Sequence, residues 1–200
     1  MSNIEYFWDI EQNSDQWLEL RTGLVTCSEA KSILAKGQGK IRQTYMYKLA
    51  GERITGIPAD IFTNKHMEHG HEVEPIARNL YQEQTGNQVD LCGFIKNGSI
   101  GYSPDGLIEN GTIEIKRKAP HLLINVLLND KIPSEHVAQI QCGLIVSERK
   151  HCDFIAFYPG MPLFIRRIYR DEKYINNLKL ELEKFETELQ TLIEKITKLF

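Results

Sequence analysis

Hydrophobic and polar positions near the N-terminus follow helical spacing in two short segments. Residues 14–20, SDQWLEL, predict a helix with Ser14 as its N-cap, because a serine oxygen can accept the free N–H groups of a first turn. Ser28 is the expected N-cap of a second helix, which ends near Gly37. Residues 21–26 between them are predicted to form a loop.

Two longer helical segments follow. One is predicted from about Ile41 to the Gly56 region, and the next from His66 through Tyr81 with Gly86 as its stop. Pro75 lies inside the second segment. Because proline lacks an N–H group, it fits there if it opens a new helical segment or bends the helix.

The middle of the chain changes to short apolar runs bounded by turn residues, which indicate strands. Residues 100–108 and 111–118 are predicted to pair, because Glu109-Asn110-Gly111 places an Asn-Gly step between two apolar runs. This step is a strong signal for a β-hairpin. The remaining predicted strands are residues 88–95, 151–160 and 163–169.

Helical spacing returns after the strands. Pro133 suits the first turn of a helix over residues 134–147, and a long helix is predicted from about Asp171 onward. Because helices precede and follow a central group of strands, we expect an α/β fold with a central mixed sheet flanked by helices. We expect one domain over residues 1–200, in which about 171–200 form a C-terminal helix.

The predicted C-terminal helix has apolar residues that step alternately by three and four positions, which is the spacing of a coiled-coil seam. A helix that packs on its own domain usually has a wider apolar face. Two interpretations stay open: packing across its own domain, and contact with another subunit or partner. The seam residues are Ile175, Leu178, Leu182, Phe185, Leu189, Leu192, Ile196 and Leu199.

Composition and charge are typical of a globular protein. The chain has 42% hydrophobic and 26% charged residues, and no apolar run approaches the roughly 18 residues of a membrane span. The N-terminal residues lack the basic start and apolar stretch of an export signal. A net charge of −3 argues against a general coat for nucleic acid but allows a local basic channel. We therefore expect a cytoplasmic protein without a membrane partner.

The cysteines lie far apart in the sequence and form no C-x-x-C pair. They are Cys27, Cys92, Cys142 and Cys152. In the absence of an export signal we expect reduced thiols. Their spacing argues against a structural zinc site and against an iron–sulfur cluster bound by cysteines.

Two acids and a lysine lie in the predicted hairpin. Asp105 follows a proline in a turn, Glu114 lies on the next strand, and Lys116 is two residues further, so Glu114 and Lys116 point to one face. Two carboxylates and a backbone carbonyl are ligands that Mg²⁺ prefers. A lysine beside them could orient or deprotonate a water, or stabilise charge on a phosphate. This layout indicates metal-dependent hydrolysis of a phosphodiester.

A surface hairpin with solvated charges is the simpler alternative, because two acids and a lysine at this spacing often occur by chance. Three features favour the catalytic interpretation. Asp105 follows a proline, Ile113 and Ile115 place apolar side chains at the alternate strand positions, and Gln139 lies near the edge of the apolar stripe of the next helix.

Five segments, in order along the chain, resemble one family of nucleases. The Pro-Asp turn and the Glu-x-Lys strand resemble the PD-(D/E)xK nuclease core, which has a restriction-endonuclease-like fold. The whole set resembles the phage lambda exonuclease family, including the YqaJ-type recombinases, over roughly residues 14–160. The segments are RTGLVTCSEA, GHEVEPIARNLYQEQTG, YSPDGLI, GTIEIKRKAP and HVAQIQCGLIVS. Residues 119–133 and the C-terminal helix lie outside the resemblance.

The resemblance implies roles around a metal site. Asp105 and Glu114 would be metal ligands together with the backbone carbonyl of Ile115, and Lys116 would be the catalytic lysine. Two further catalytic side chains are implied. They are Glu74, an additional acid at the metal site, and Gln139, which would help to place the nucleophile or the lysine.

The resemblance also implies a site for the 5′-phosphate of a DNA end, formed by Arg21, Ser28 and Ser103. Physical chemistry agrees with this, because a guanidinium fork suits a phosphate and a helix N-terminus favours an anion. From the residues alone, a simple helix cap at Ser28 and a solvated side chain at Arg21 are the more economical interpretation.

The function implied is an exonuclease that uses Mg²⁺, or Mn²⁺ as a substitute, and degrades double-stranded DNA from the 5′ end, leaving 3′ overhangs. The family also implies a homotrimeric ring and a single-strand annealing protein as partner, in a phage or prophage within a bacterial cell. Two rivals are an endonuclease of restriction or repair type, and a DNA-binding module without catalysis. The intact acids argue against the second, because a pure binder gains nothing from carboxylates that face phosphates.

Two further charged segments carry weaker indications. Residues 65–71, KHMEHGH, contain three histidines without the H-E-x-x-H spacing, so we do not expect a zinc site. In the family this region lies near the DNA entry, where Lys65 and Met67 would touch the duplex end. Three arginines could line a DNA path or stay solvated at a strand edge: Arg166, Arg167 and Arg170.

Overall fold

The computed structural model describes residues 3–35, 40–59 and 65–199, and for residues 65–72 it describes the backbone alone. The predicted helix end at Gly37 lies outside the described residues. The side chains of Lys65, Met67 and the three histidines of residues 65–71 also lie outside them.

Seven helices and eight strands are found in the described residues. The helices are Asp15–Arg21 (α1), Ala30–Leu34 (α2), Lys40–Thr55 (α3), Lys65–Thr85 (α4), Pro120–Asn129 (α5), Val137–Ser147 (α6) and Glu172–Thr197 (α7). The strands are Ile4–Phe7 (β1), Val25–Thr26 (β2), Phe94–Asn97 (β3), Ile100–Tyr102 (β4), Gly106–Ile108 (β5), Gly111–Arg117 (β6), His151–Phe157 (β7) and Phe164–Tyr169 (β8).

The strands form two mixed sheets with the orders β1-β3-β4-β2 and β5-β6-β7-β8. The predicted α/β fold, flanked by helices and with a long C-terminal helix, is confirmed, although its sheet is divided in two. In the second sheet, β6 pairs antiparallel with β5 and parallel with β7. The Pro104-Asp105 turn lies between β4 and β5, so it carries the chain from one sheet to the other.

The two faces of β6 contact different helices. On one face, Ile113 and Ile115 join a buried cluster with Ala77 and Tyr81 of α4. On the other face, helix α6 packs over β6 and β7, and its Gln139 reaches Glu114. The predicted hairpin is confirmed, since Gly106 pairs with Ile113 and Ile108 with Gly111 across the turn.

Several element boundaries differ from the prediction. Ser28 does not cap a helix: it lies inside a short 3-10 turn, Cys27–Glu29, that precedes α2. Residues 88–95 do not form the predicted strand, because Asp90 makes a single bridge to Leu107 and regular pairing begins only at Phe94. Helix α4 continues through Pro75 without ending there.

Helix α7 packs mainly on its own chain. Its seam residues from Ile175 to Leu189 are buried, and those from Leu178 to Leu189 belong to a core cluster with side chains of α2, α3 and α6. Leu192 is partly buried against the same cluster, whereas Leu199 is 79% exposed. The seam is therefore intramolecular over most of its length.

All four cysteines are free, in agreement with the expected thiols, and all four are buried. In the described part of the chain, no helix has the length and apolar character needed to cross a membrane.

A buried polar network ties α4 to the second sheet. Asp153 of β7 accepts a hydrogen bond from the Tyr81 hydroxyl at 2.6 Å and two from Arg167 of β8 at 2.7 and 2.8 Å. Burial alone would raise the pKa of the Asp153 carboxyl, but the hydrogen bonds from Arg167 and Tyr81 outweigh it and lower that pKa. The network therefore stabilises the fold while Asp153 is ionised.

Replacing Asp153 with Asn should lower the free energy of unfolding at pH 7 by about 1–3 kcal/mol, because charge-assisted hydrogen bonds to a buried group are lost. The contribution is present above the unfolded pKa of about 3.9 and disappears as pH falls through the lower folded pKa. Urea unfolding at pH 7 and pH 3 should show the difference from wild type shrinking at the lower pH. The exposed Asp90→Asn is the control; equal stability of wild type and Asp153→Asn at pH 7 would refute this role.

Candidate active site

The Pro104-Asp105 turn is held by side chains from two other segments. Gln12 donates to the carbonyl of Pro104 at 2.9 Å, and Arg78 of α4 donates through Nε to the carbonyl of Asp105 at 3.1 Å. The Asp105 carboxylate in turn accepts the N–H of Ile115 at 2.5 Å. The turn is therefore anchored to the N-terminal loop, to α4 and to β6.

Glu114 is the buried acid of the site, with 1% of its surface exposed. Its Oε1 contacts Lys116 Nζ at 2.6 Å and accepts a hydrogen bond from Gln139 Nε2, also at 2.6 Å. Its Oε2 is buried and has no hydrogen-bond partner among the described residues. The structure thus brings Asp105, Glu114, Lys116 and Gln139 together, with one carboxylate oxygen left to bind something else.

The electrostatics of the cluster favour a bound cation. Burial, and then the charge of Glu114, raise the pKa of the Asp105 carboxyl well above its usual range, and Glu74 adds to this effect. Burial alone would lower the pKa of the Lys116 ammonium, but the carboxylates of Glu114 and Asp105 raise it above its ordinary value. The single positive charge of Lys116 therefore does not balance the carboxylates of Asp105, Glu114 and Glu74. A divalent cation would supply the additional positive charge.

The donor set fits Mg²⁺ better than zinc. Carboxylate and carbonyl oxygens are hard ligands, which Mg²⁺ prefers. The buried Oε2 of Glu114 accepts no hydrogen bond from the described residues, so its lone pairs are available to a cation. No three His, Cys, Asp or Glu side chains of the described residues are grouped so that they alone could hold an ion. Glu74 is therefore not gathered with Asp105 and Glu114 into a ready site, although it lines the same cavity as Asp105.

Trp17, which the sequence did not single out, joins two of the predicted phosphate-binding residues. Its indole N–H donates to Ser103 Oγ at 2.9 Å, and the guanidinium carbon of Arg21 lies 4.1 Å from the centroid of its ring. Ser28 is exposed and lies 3.2 Å from the hydroxyl of Thr26. Arg21 and Thr26 line one small cavity. Ser28 therefore contacts a residue of the cavity that Arg21 also lines.

The loop after Arg21 is fixed at Gly23, where both the backbone N–H and the carbonyl form hydrogen bonds to side chains of α3. The Gly23 N–H donates to the buried carboxylate of Glu52 at 2.8 Å, and its carbonyl accepts from Arg53 Nε at 2.8 Å. Arg53 also forms a bidentate pair with Glu186 of α7. The position of Arg21 thus depends on α3 and on the C-terminal helix.

The three arginines considered for a DNA path are all engaged within the chain. Arg167 pairs with Asp153, Arg166 with Asp130, and Arg170 with Glu172 and the carbonyl of Leu144. These contacts favour a structural role. The residues that sequence reasoning missed are Trp17, Gln12, Arg78 and Glu52, and each acts through a partner at least 27 positions away.

The chain is similar to known nucleases in sequence and in fold. The family model of the YqaJ-like viral recombinase domain matches residues 16–150. The alkaline exonuclease LHK-Exo from Laribacter hongkongensis is 32% identical with a TM-score of 0.84, and the match covers 92% of this chain and 97% of that one. Its complex with dAMP gives the same identity and coverage with a TM-score of 0.85.

A phage-related exonuclease from Haemophilus somnus 129PT shares the fold at a TM-score of 0.66 and 15% identity, over 86% of this chain and 96% of that one. No curated protein sequence matches the chain.

Gly23→Ala should lower the free energy of unfolding by more than the cost of placing an alanine in a left-handed backbone conformation. Gly23 has a φ of +72°, and an added Cβ would lie 2.8 Å from Arg53 Cγ. Gly56→Ala is the matched control, because Gly56 has a φ of +69° with nothing within 4 Å of an added Cβ. We expect about 1–2 kcal/mol for the left-handed conformation in both, and a further loss for Gly23→Ala only. Equal unfolding free energies for the two variants would rule out the close approach of Arg53 to Gly23.

Proposed function

The chain belongs to the YqaJ-like viral recombinase family, and on that premise we propose that it is a Mg²⁺-dependent 5′-to-3′ exonuclease acting on the ends of double-stranded DNA. The observation that carries the proposal is the buried Glu114, with Lys116 and Gln139 on one oxygen and no partner on the other. A structural carboxylate buried to this degree would be expected to have both oxygens satisfied.

Asp105, Glu114 and the carbonyl of Ile115 would hold the cation, with Glu74 as a further acid beside them. Bound Mg²⁺, or Mn²⁺ in its place, would polarise the scissile phosphodiester and offset its negative charge. The residues of the chain supply orientation and charge stabilisation. Gln139 holds Oε1 of Glu114 in place, and the protonated Lys116 would orient the attacking water through a hydrogen bond or stabilise negative charge on a phosphate oxygen.

Arg21, Ser28 and Ser103 would bind the terminal 5′-phosphate. The guanidinium carbon of Arg21 lies over the Trp17 ring, 4.1 Å from its centroid, and the same indole donates to Ser103, so one side chain contacts both. A guanidinium that is already ordered loses less freedom when it forms a bidentate contact to a phosphate. The contacts of Trp17 with Arg21 and Ser103 support the proposed end specificity.

In this proposal, residues 1–200 act as a single nuclease domain in the cytoplasm of a bacterial host, and produce 3′ overhangs for a single-strand annealing protein. A homotrimeric ring around the DNA belongs to the same proposal. Burial of the α7 seam within the chain means that a ring would use other surfaces.

Asp105→Asn and Glu114→Gln should each abolish Mg²⁺-dependent degradation of linear duplex, because each removes a metal ligand. They should also reduce the rise in melting temperature that Mg²⁺ produces in the wild type, since binding to the folded state stabilises it. Glu109→Gln, in the exposed turn of the same hairpin, is the control. Wild-type degradation that persists in excess chelator would contradict metal dependence, and cleavage of circular duplex would favour the endonuclease instead.

Arg21→Ala should erase most of the preference for 5′-phosphorylated over 5′-hydroxyl ends, while residual metal-dependent cleavage remains. The measured quantity is the ratio of degradation rates on the two end types at one fixed salt concentration, because phosphate contacts depend on salt. Arg42→Ala is the matched control, since Arg42 also lies over an aromatic ring, that of Phe185, but is not among the described residues that line the cavity beside Arg21. A wild-type ratio near one, or an unchanged ratio in Arg21→Ala, would show that Arg21 does not sense the end.

A further inference from the structure

A cavity of about 690 Å³ adjoins the proposed active site. Pro104 and Asp105 form one part of its wall, and Glu74 and Arg78 of α4 form another. Its volume lies within the roughly 300–1,000 Å³ typical of small-molecule sites. Because Asp105 lines the cavity directly, any group that fills it lies beside the reacting phosphate.

Trp8 provides an aromatic wall for this cavity. Its ring stacks on that of Tyr6, with centroids 5.5 Å apart and an angle of 12° between the planes, yet 49% of Trp8 remains exposed. Because Tyr6 covers one face of the indole, the exposed part lies on the side away from Tyr6. Ile10 and the 61% exposed Leu91 line the same cavity. An indole fixed in this way is a preformed stacking surface.

Away from the proposed metal ligands, the charges of the wall disfavour a phosphate in this cavity. Besides Asp105 and Glu74, which would hold the cation, the lining residues that the structure describes include two acids, Asp9 and Glu11. They include one cation, Arg78, whose Nε already donates to a backbone carbonyl. A neutral flat group with N–H donors at its edge suits such a wall, because its faces can stack on Trp8 and its edge can donate to carboxylates.

We propose that this cavity is a subsite for the base of the 5′-terminal nucleotide, stacked on Trp8. The proposal rests on the exonuclease function above. Ser103, in the proposed phosphate site, directly precedes Pro104 and Asp105, which line the cavity. The nucleotide that links the terminal 5′-phosphate to the scissile phosphate is the terminal one, so its base lies closest to this wall. Stacking accepts all four bases, since each has a π-face.

The test compares two linear duplexes with 5′-phosphorylated ends, whose terminal nucleotide either carries its base or lacks it. In both, the terminal nucleotide is left unpaired, so that removal of the base does not change pairing. Release of the first nucleotide is measured in a single turnover with Mg²⁺. Wild type should release the base-free nucleotide about 5- to 100-fold more slowly, the range expected from loss of one stacked base.

Substitutions at Trp8 separate stacking from other effects. Trp8→Ala should slow release of the base-containing nucleotide by a similar factor and make the two ends nearly equal, whereas Trp8→Phe should keep most of the difference. Tyr47→Ala, which removes another exposed aromatic side chain, from α3, is the control and should keep the full difference.

Equal rates on the two ends in wild type would overturn the subsite. Equal slowing of both ends by Trp8→Ala would also overturn it, because the ring would then act without the base. Those outcomes leave Asp105-dependent cleavage intact. Absence of any Asp105-dependent cleavage would overturn the proposed function and the subsite with it, so the two failures are distinguishable.

Discussion

The burial of the Glu114 carboxylate constrains the whole site. An ionised group removed from water is costly unless it is paired and hydrogen-bonded. Lys116, two residues along the same strand, and Gln139, from a different helix, supply this compensation to one oxygen only. The fold must therefore keep α6 over β6, while the second oxygen has no hydrogen-bond partner among the described residues. The proposed divalent cation would supply the missing positive charge beside it.

The position of the second acid depends on the junction between the two sheets. Asp105 lies where the chain leaves β4 and enters β5, and a turn at such a place is not held by strand pairing. Instead, Gln12, Arg78 and the N–H of Ile115 each bind it from a different segment. The same turn lines the cavity bounded by Trp8, so the proposed active site and the proposed base subsite depend on the same contacts.

Helix α7 influences the proposed end recognition from a distance. Its apolar seam is buried on α2, α3 and α6, and its Glu186 pairs with Arg53, which holds the carbonyl of Gly23. Arg21 lies two residues before Gly23. The apolar spacing of α7 is that of a coiled-coil seam, but this seam packs within the chain. It therefore gives no support for assembly into an oligomer.

The sequence by itself determined the hairpin at Asn110-Gly111, the alternation along β6 and the capped helix α1, because turn chemistry and side-chain periodicity act over a few residues. It also indicated Asp105, Glu114 and Lys116 as one chemical group. Only the tertiary structure decided that Trp17 contacts Ser103, 86 residues away, and that the seam of α7 is internal. Local patterns cannot report such contacts, because they depend on which surfaces pack together once every element has formed.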